Sequence, residues 1–287
     1  MRTSWLGDYL ALVRFSHSIF ALPFAWISLL LATAGRPGFG LVALVAAAAV
    51  SARTAAMAFN RWADRSIDAA NPRTRGREIP SGRIAPWKAL ALAVLAGGLF
   101  CLISALLGPT CLLLSPVVLL VLFGYSYTKR WSWLCHFVLG LALALAPLGA
   151  WIAAKDGFDG ILGTPLLLGL AVLTWVAGFD LIYACQDEEF DRGLGLHSVP
   201  ARFGRAGALK LSASLHGATL LFLAGVGWTA DLGGFWWGGI VLAAGLLIHE
   251  HRLVSPSDLS RVDAAFFSMN GLFSLLLALL ASLDFWF

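Results

Sequence analysis

Two sets of acidic residues each close a long apolar stretch. The first is Asn60, Asp64 and Asp68 in NRWADRSID, and the second is Asp180, Tyr183, Asp187 and Asp191 in DLIYACQDEEFD. Ionisable side chains at the edge of a membrane-length segment are costly and mark a functional site by default. Residues three or four apart share one face of a helix, so each set is predicted to form a column of carboxylates. Such a column repels itself unless a cation lies within it. Oxygen ligands without His or Cys favour a hard ion, and magnesium takes one or two carboxylates together with phosphate oxygens and water. Both sets run into basic sequence: Arg61, Arg65, Arg73, Arg75, Arg77 and Arg83 follow the first, Lys129 and Arg130 lie between them, and Arg192 follows the second. Metal ions on one side and guanidinium or ammonium groups on the other are what a departing diphosphate needs. Glu188 and Glu189 lie off the acidic face and are expected in water.

The elements that must position these residues are membrane helices. The chain has 287 residues, 59% hydrophobic and only 13% charged, with a mean hydropathy of +0.82. A soluble domain carries about 25% charge. That difference excludes an ordinary cytosolic protein and, despite a pI near 9.1, a nucleic-acid binder. A span needs about 20 apolar residues, and lipid cannot satisfy an open backbone, so every span must be helical. Nine spans are predicted, at 17–35, 40–60, 89–107, 110–128, 134–154, 161–182, 211–230, 234–250 and 264–283, in one integral-membrane domain covering 1–287. With the N-terminus inside, seventeen of the 20 Lys and Arg fall on the cytoplasmic side. Only Arg36 and Lys155 fall outside, and Arg53 lies within a span. This is the positive-inside pattern, and it places both acidic sets at the cytoplasmic face. The opening MRTSWLGDYLALVRFSHS carries Asp8 and no small-residue cleavage site, so the first span is expected to remain as an anchor. The four cysteines, Cys101, Cys111, Cys135 and Cys185, show no paired spacing, and neither a disulfide nor a zinc site is expected.

The chain resembles the UbiA superfamily of intramembrane prenyltransferases. Its NxxxDxxxD motif is matched at Asn60, Asp64 and Asp68, and its DxxYxxxDxxxD motif at Asp180, Tyr183, Asp187 and Asp191. The intervening REIPSGRI (77–84) and YSYTKR (125–130) also look like family segments. The resemblance implies an all-α bundle of nine helices around a central cavity. It implies that Asn60, Asp64, Asp68, Asp187 and Asp191 hold two Mg2+, the four aspartates being the catalytic set, and through them a polyprenyl diphosphate. Arg61, Arg77 and Lys129 would bind the diphosphate, and Arg130, Asp180 and Tyr183 the aromatic acid acceptor. Arg14 is a loose match to a further acceptor-side cation. Within the superfamily the chain looks most like the 4-hydroxybenzoate polyprenyltransferase branch, including relatives that prenylate 1,4-dihydroxy-6-naphthoate. The implied reaction belongs to ubiquinone or menaquinone biosynthesis at a bacterial inner membrane, with the active-site loops cytoplasmic.

Two rivals are weighed against this reading. A cation-coupled transporter would place its acidic residues near the bilayer midplane on broken helices, whereas here they sit at helix ends beside arginines that repel a cation. A non-catalytic lipid-binding protein would not need the metal-type spacing. Tyr125, Tyr127 and Tyr183 are candidates to face a carbocation, although interfacial packing of tyrosines is equally common. Of the histidines, His17 and His197 are the ones that could line the acceptor pocket, and His136 is expected to be structural.

Overall fold

The computed structural model describes residues 5–14 and 20–287. His17 and the predicted start of the first span lie outside the described residues. Twelve α-helices account for most of the described chain: α1 (Trp5–Leu12), α2 (Leu22–Ala32), α3 (Phe39–Ala63), α4 (Arg65–Ala70), α5 (Pro86–Leu107), α6 (Pro109–Thr128), α7 (Cys135–Lys155), α8 (Thr164–Ala184), α9 (Glu188–Gly193), α10 (Val199–Thr229), α11 (Gly234–Arg252) and α12 (Asn270–Trp286). The described residues contain no β-sheet, only an isolated bridge between Ser255 and Asp258. Proline opens α2, α5, α6, α8 and α10 within the first two positions, where its fixed φ suits the helix and its missing N–H costs nothing. Gly108, at φ +133°, breaks α5 from α6.

Among the described residues, seven helical segments are long and apolar enough to cross a membrane, α8 running on through α9 as one of them. Two of the nine predicted spans differ. The described part of the first is α2, whose 11 residues rise roughly 16 Å, short of the ~30 Å hydrocarbon core. The eighth is α11, which is 19 residues long but ends in His249, Glu250, His251 and Arg252. The seventh also begins earlier than its apolar run: α10 starts at Val199 rather than 211, and its polar first turns bend at Gly204 (φ 73°).

The core is centred on α8, whose Trp175, Val176, Leu181 and Ile182 are fully buried. Trp175 stacks on Phe273 of α12 at 5.0 Å and 21°. Small residues let the helices approach, as is usual where lipid supplies no hydrophobic drive. A Cβ on Gly140 of α7 would collide with the carbonyl of Leu173 in α8. Gly140→Ala is therefore expected to destabilise the fold by about 1–3 kcal/mol, read as earlier thermal unfolding in detergent. Gly98→Ala, where a Cβ meets open space, should leave unfolding unmoved. The outer surface is apolar: Leu95, Leu99, Leu102 and Leu106 form an exposed stripe along α5.

Two polar devices fix the last helices. Asp284 of α12 accepts hydrogen bonds from the first-turn amides of α11, from Gly233, from Phe235 at 3.0 Å and from Trp236 at 3.3 Å. Trp286 donates to the Gly35 carbonyl (3.1 Å) at the end of α2. Inside the bundle, Trp175 Nε1 donates to Asn270 Oδ1, while Asn270 Nδ2 donates to Glu250 Oε1 (2.8 Å each) and to the Phe266 carbonyl at 3.0 Å. Asn270 thereby holds a π-helical turn, Ala264–Met269, and that turn sets Phe266 against Tyr183, ring centroids 4.5 Å apart.

Candidate active site

The first acidic set occupies a break rather than an unbroken column. α3 ends at Ala63, and Asp64 takes φ −92°, ψ 6° before α4 begins at Arg65. The backbone ladder still bridges the break, with Asp64 N–H donating to the Asn60 carbonyl (2.9 Å) and Asp68 N–H to that of Asp64 (2.8 Å). The second set is also interrupted. Asp180 and Tyr183 belong to α8, a 3-10 turn spans Cys185–Asp187, and Asp191 lies on α9. The helix through each set is therefore interrupted rather than continuous. The breaks nonetheless bring them to one place. Asn60, Asp64, Asp68, Asp180, Tyr183, Asp187 and Asp191 all line a single polar cavity of about 170 Å³, together with Arg61, Arg77 and Lys129.

Most of the acids in this cavity hold a cation. Asp64 is 3% exposed and takes Lys129 Nζ at 2.9 Å and Arg130 at 3.4 Å. Asn60 donates to Asp64 at 3.2 Å. Asp68, 4% exposed, accepts from Arg77 at 2.7 Å. Its second oxygen is buried without a partner. Arg73 grips Asp187 with Nε (2.9 Å) and Nη2, and donates to the Tyr183 hydroxyl at 2.8 Å. Asn71 also donates to Asp187, at 2.9 Å. Burial alone would lower the Arg73 pKa, but the hydrogen bonds and charge of Asp187 outweigh it and hold the guanidinium above its ordinary value. Arg61, 5% exposed, reaches the Leu12 carbonyl at 3.4 Å. Asp180 Oδ2 lies 2.7 Å from His136 Nδ1.

Among the described residues no three His, Cys, Asp or Glu side chains are gathered closely enough to form a metal cage by themselves. The donors that are present suit a hard ion shared with substrate. They are carboxylate and amide oxygens, one of them, on Asp68, buried and unpartnered, and magnesium completes its shell from phosphate and water.

Other predicted residues fall elsewhere. Arg130 reaches Asp64 but lies over the Tyr127 ring at 4.8 Å and donates to the Ala63 carbonyl. It is not on the cavity wall. Tyr127 packs against Phe59 outside the site, while Tyr125 and Tyr183 line the cavity. Arg65 turns outward onto Trp62 at 5.0 Å, and Arg83 pairs with Asp8 at 2.8 Å. Arg14 is exposed at the end of α1, with φ +47°, and lines no part of the cavity. His197 is exposed, its amide bound to the Lys129 carbonyl; the histidine in the cavity wall is His136. Glu188 is half-buried between Arg192 (2.8 Å) and Arg205 (3.1 Å) rather than hydrated. The four cysteines are free.

A second cavity, about 280 Å³ and almost wholly apolar, lies between α3, α5, α6 and α7 and shares Asn60 and Tyr125 with the first. Its width comes from small side chains on one face of α3, among them Ala48, Ala49, Ala52 and Ala56. Its wall includes one cation, Arg53, whose Nε is buried without a partner. Arg53 is seven residues before Asn60, two turns along the same face and roughly 10 Å away along the axis. Residue type and position were the available signal, because a lone arginine inside a span is seldom idle.

A charged chamber that shares wall residues with an apolar one, inside a membrane bundle, suits an integral-membrane enzyme that works on amphiphilic substrates. Residues 21–276 match the UbiA prenyltransferase family. The chain is 30% identical over 283 residues to a 4-hydroxybenzoate octaprenyltransferase of Paraburkholderia phymatum, covering 96% of this chain and 95% of that one. It is 32% identical over 271 residues to its namesake in Cupriavidus necator, covering 93% of each. A UbiA homologue from Aeropyrum pernix superposes with a TM-score of 0.85 at 34% identity, over 93% of this chain and 98% of that one. A homologue from Archaeoglobus fulgidus, solved with DMAPP and Mg2+, shares the fold with a TM-score of 0.71 at 18% identity, over 96% and 97% of the two chains. The chain belongs to the UbiA prenyltransferase family: it is a prenyltransferase of the membrane.

Proposed function

We propose that the chain transfers a polyprenyl group from a polyprenyl diphosphate to the ring of an aromatic acid. The observation that carries this reading is the junction of the two cavities at Asn60 and Tyr125. A polyprenyl diphosphate has one charged end and one greasy end, and the junction is where its reactive allylic carbon belongs. The relatives named for 4-hydroxybenzoate make that acid the first candidate acceptor, and 1,4-dihydroxy-6-naphthoate is the other. Both carry a carboxylate, and Arg53 offers an unpaired cation for it, close to the junction. Arg130, Asp180 and Tyr183, the acceptor positions implied by resemblance, are each engaged with protein groups; of these, Asp180 keeps a free oxygen.

When bound, two Mg2+ held by Asn60, Asp64, Asp68, Asp187 and Asp191 would draw electron density from the diphosphate. Lys129, Arg77 and Arg73 sit on the walls where negative charge grows as the allylic C–O bond breaks, and fixed charges in a water-poor site act there without reorganising. The apolar chamber keeps water from the resulting cation, and Tyr125, which lines both cavities, is the ring placed to face it. The proposed setting is a bacterial inner membrane with this site on the cytoplasmic side, which the distribution of Lys and Arg supports.

The test is an assay of membranes containing the protein with labelled prenyl diphosphate, each acid in turn, and Mg2+ present or chelated. Prenylated product should form only with Mg2+ and a carboxylated acceptor. Metal-independent transfer, or no transfer to either acid, would sink the proposal.

A further inference from the structure

His136 and Asp180 form a dyad in the cavity wall for which the chemistry above has no use. His136 is 3% exposed. Its Nε2 accepts a hydrogen bond from the Val199 backbone N–H at 3.3 Å, at the first turn of α10. An amide can only donate, so Nε2 carries a lone pair and the ring proton sits on Nδ1. That proton points at Asp180 Oδ2, 2.7 Å away. The imidazole thus presents Nδ1 to Asp180 and is held at both ends, in the way an orienting group fixes a base. Asp180 Oδ1 has no partner among the described residues, and the side chain keeps 20% of its surface open on the cavity. Tyr125, at the junction, lies in the electrostatic reach of Asp180 and Asp64.

The proposed reaction leaves one proton unaccounted for. Once the allylic C–O bond has broken, with its electron pair on the diphosphate, a ring π pair forms the new C–C bond. The ring regains aromaticity only when the C–H electron pair at that carbon returns to it and the proton goes to a base. Asp64 and Asp68 are buried against cations and Asp187 is held by Arg73 and Asn71, whereas Asp180 Oδ1 is open on the cavity. Resting on the function proposed above, we infer that Asp180 Oδ1 takes the ring proton, and that His136 is the positioning residue that turns this oxygen toward the ring. Protonated Asp180 then discharges to water through the open side of the polar cavity. A dyad that merely pinned α10 to α8 would not need a free carboxylate oxygen on a cavity surface.

The experiment compares wild type, His136→Leu, His136→Gln and Asp180→Asn, using an acceptor deuterated at the ring carbon that is prenylated. Glutamine keeps a donor for Asp180 and an acceptor for Val199, and leucine keeps neither. Wild type should show no isotope effect, because C–O cleavage limits the rate. His136→Leu and Asp180→Asn should lower kcat by about 100-fold, as loss of a general base does. Both should show a primary isotope effect and leave the KM for prenyl diphosphate little changed. His136→Gln should retain most of its turnover. A slow His136→Leu without an isotope effect, or His136→Gln as damaged as His136→Leu, overturns the inference. If His136→Leu does not fold, the absence of an isotope effect in Asp180→Asn overturns it. Failure of wild type to prenylate any aromatic acid is a different result and would remove the reading on which the inference rests.

Discussion

Asp64→Asn is expected to cost about a thousandfold in prenyl transfer, the scale on which removing a fixed electrostatic element from a water-poor site acts, while the protein still folds. The two effects separate for a reason visible in the site. Asp64 is buried, but Lys129 and Arg130, the cations that it holds, keep 31% and 37% of their side-chain surface open. Breaking a fully buried pair costs about 3–5 kcal/mol because the survivor is stranded. Here solvent reaches both survivors, and an exposed pair is worth roughly 0–1 kcal/mol. The stability penalty should sit nearer the lower figure. The catalytic penalty has no such relief, since asparagine can neither offer metal a charged oxygen nor balance Lys129 between turnovers. Thermal unfolding in detergent and single-turnover transfer, measured on one preparation, test both halves. Transfer close to the wild-type rate would remove Asp64 from the mechanism.

Arg53→Met should do the opposite to stability. A charge held near the middle of a span costs about 2.5–3.5 kcal/mol, and the Arg53 Nε meets no partner in its cavity. Methionine fills a similar volume without that cost, so the unfolding temperature should rise. Activity should fall at the acceptor side alone. A carboxylate paired with a desolvated cation is worth about 2–5 kcal/mol, which corresponds to a loss of roughly 30- to 4000-fold in kcat/KM for the aromatic acid. The KM for prenyl diphosphate should not move. The neutral methyl ester of the acceptor separates this from a general defect: wild type should reject it, and Arg53→Met should treat ester and acid alike. An unchanged KM for the acid would place acceptor recognition elsewhere.

These residues also show how far sequence could go. The spacing of Asn60, Asp64 and Asp68, and of Asp187 and Asp191, was enough to place them in one cavity, because acids at membrane-helix ends have few other uses. The partners of those acids were hidden. Arg73 meets Asp187 across 114 residues of chain, and six arginines followed the first motif with nothing local to rank them. Tertiary packing made the choice, sending Arg65 to Trp62 and Arg83 to Asp8. The breaks at Asp64 and at 185–187 were equally hidden, since a helical spacing of three and four is kept on either side of each. Arg53 was legible by type, as a charge within a span, but counting charges for topology consumes that signal without asking what the side chain faces. His136 was set aside for the same reason. Its neighbours Asp180 and Val199 come from other helices, and no local pattern announces them. Span ends failed where a helix outruns its apolar stretch, as α10 does by twelve residues, because lipid ends at the headgroups and hydrogen bonding does not.

The clasp at Asp284 and Trp286 has a consequence for how the molecule is made. The amides that open α11 and the Gly35 carbonyl just beyond α2 both wait for groups in the last turn of α12. A nascent chain emerges from its N-terminus, so α2 and α11 leave the ribosome before α12 does. It follows that this side of the bundle is fastened only once α12 has joined it, and that loss of Asp284 and Trp286 would leave two earlier helices without their latch.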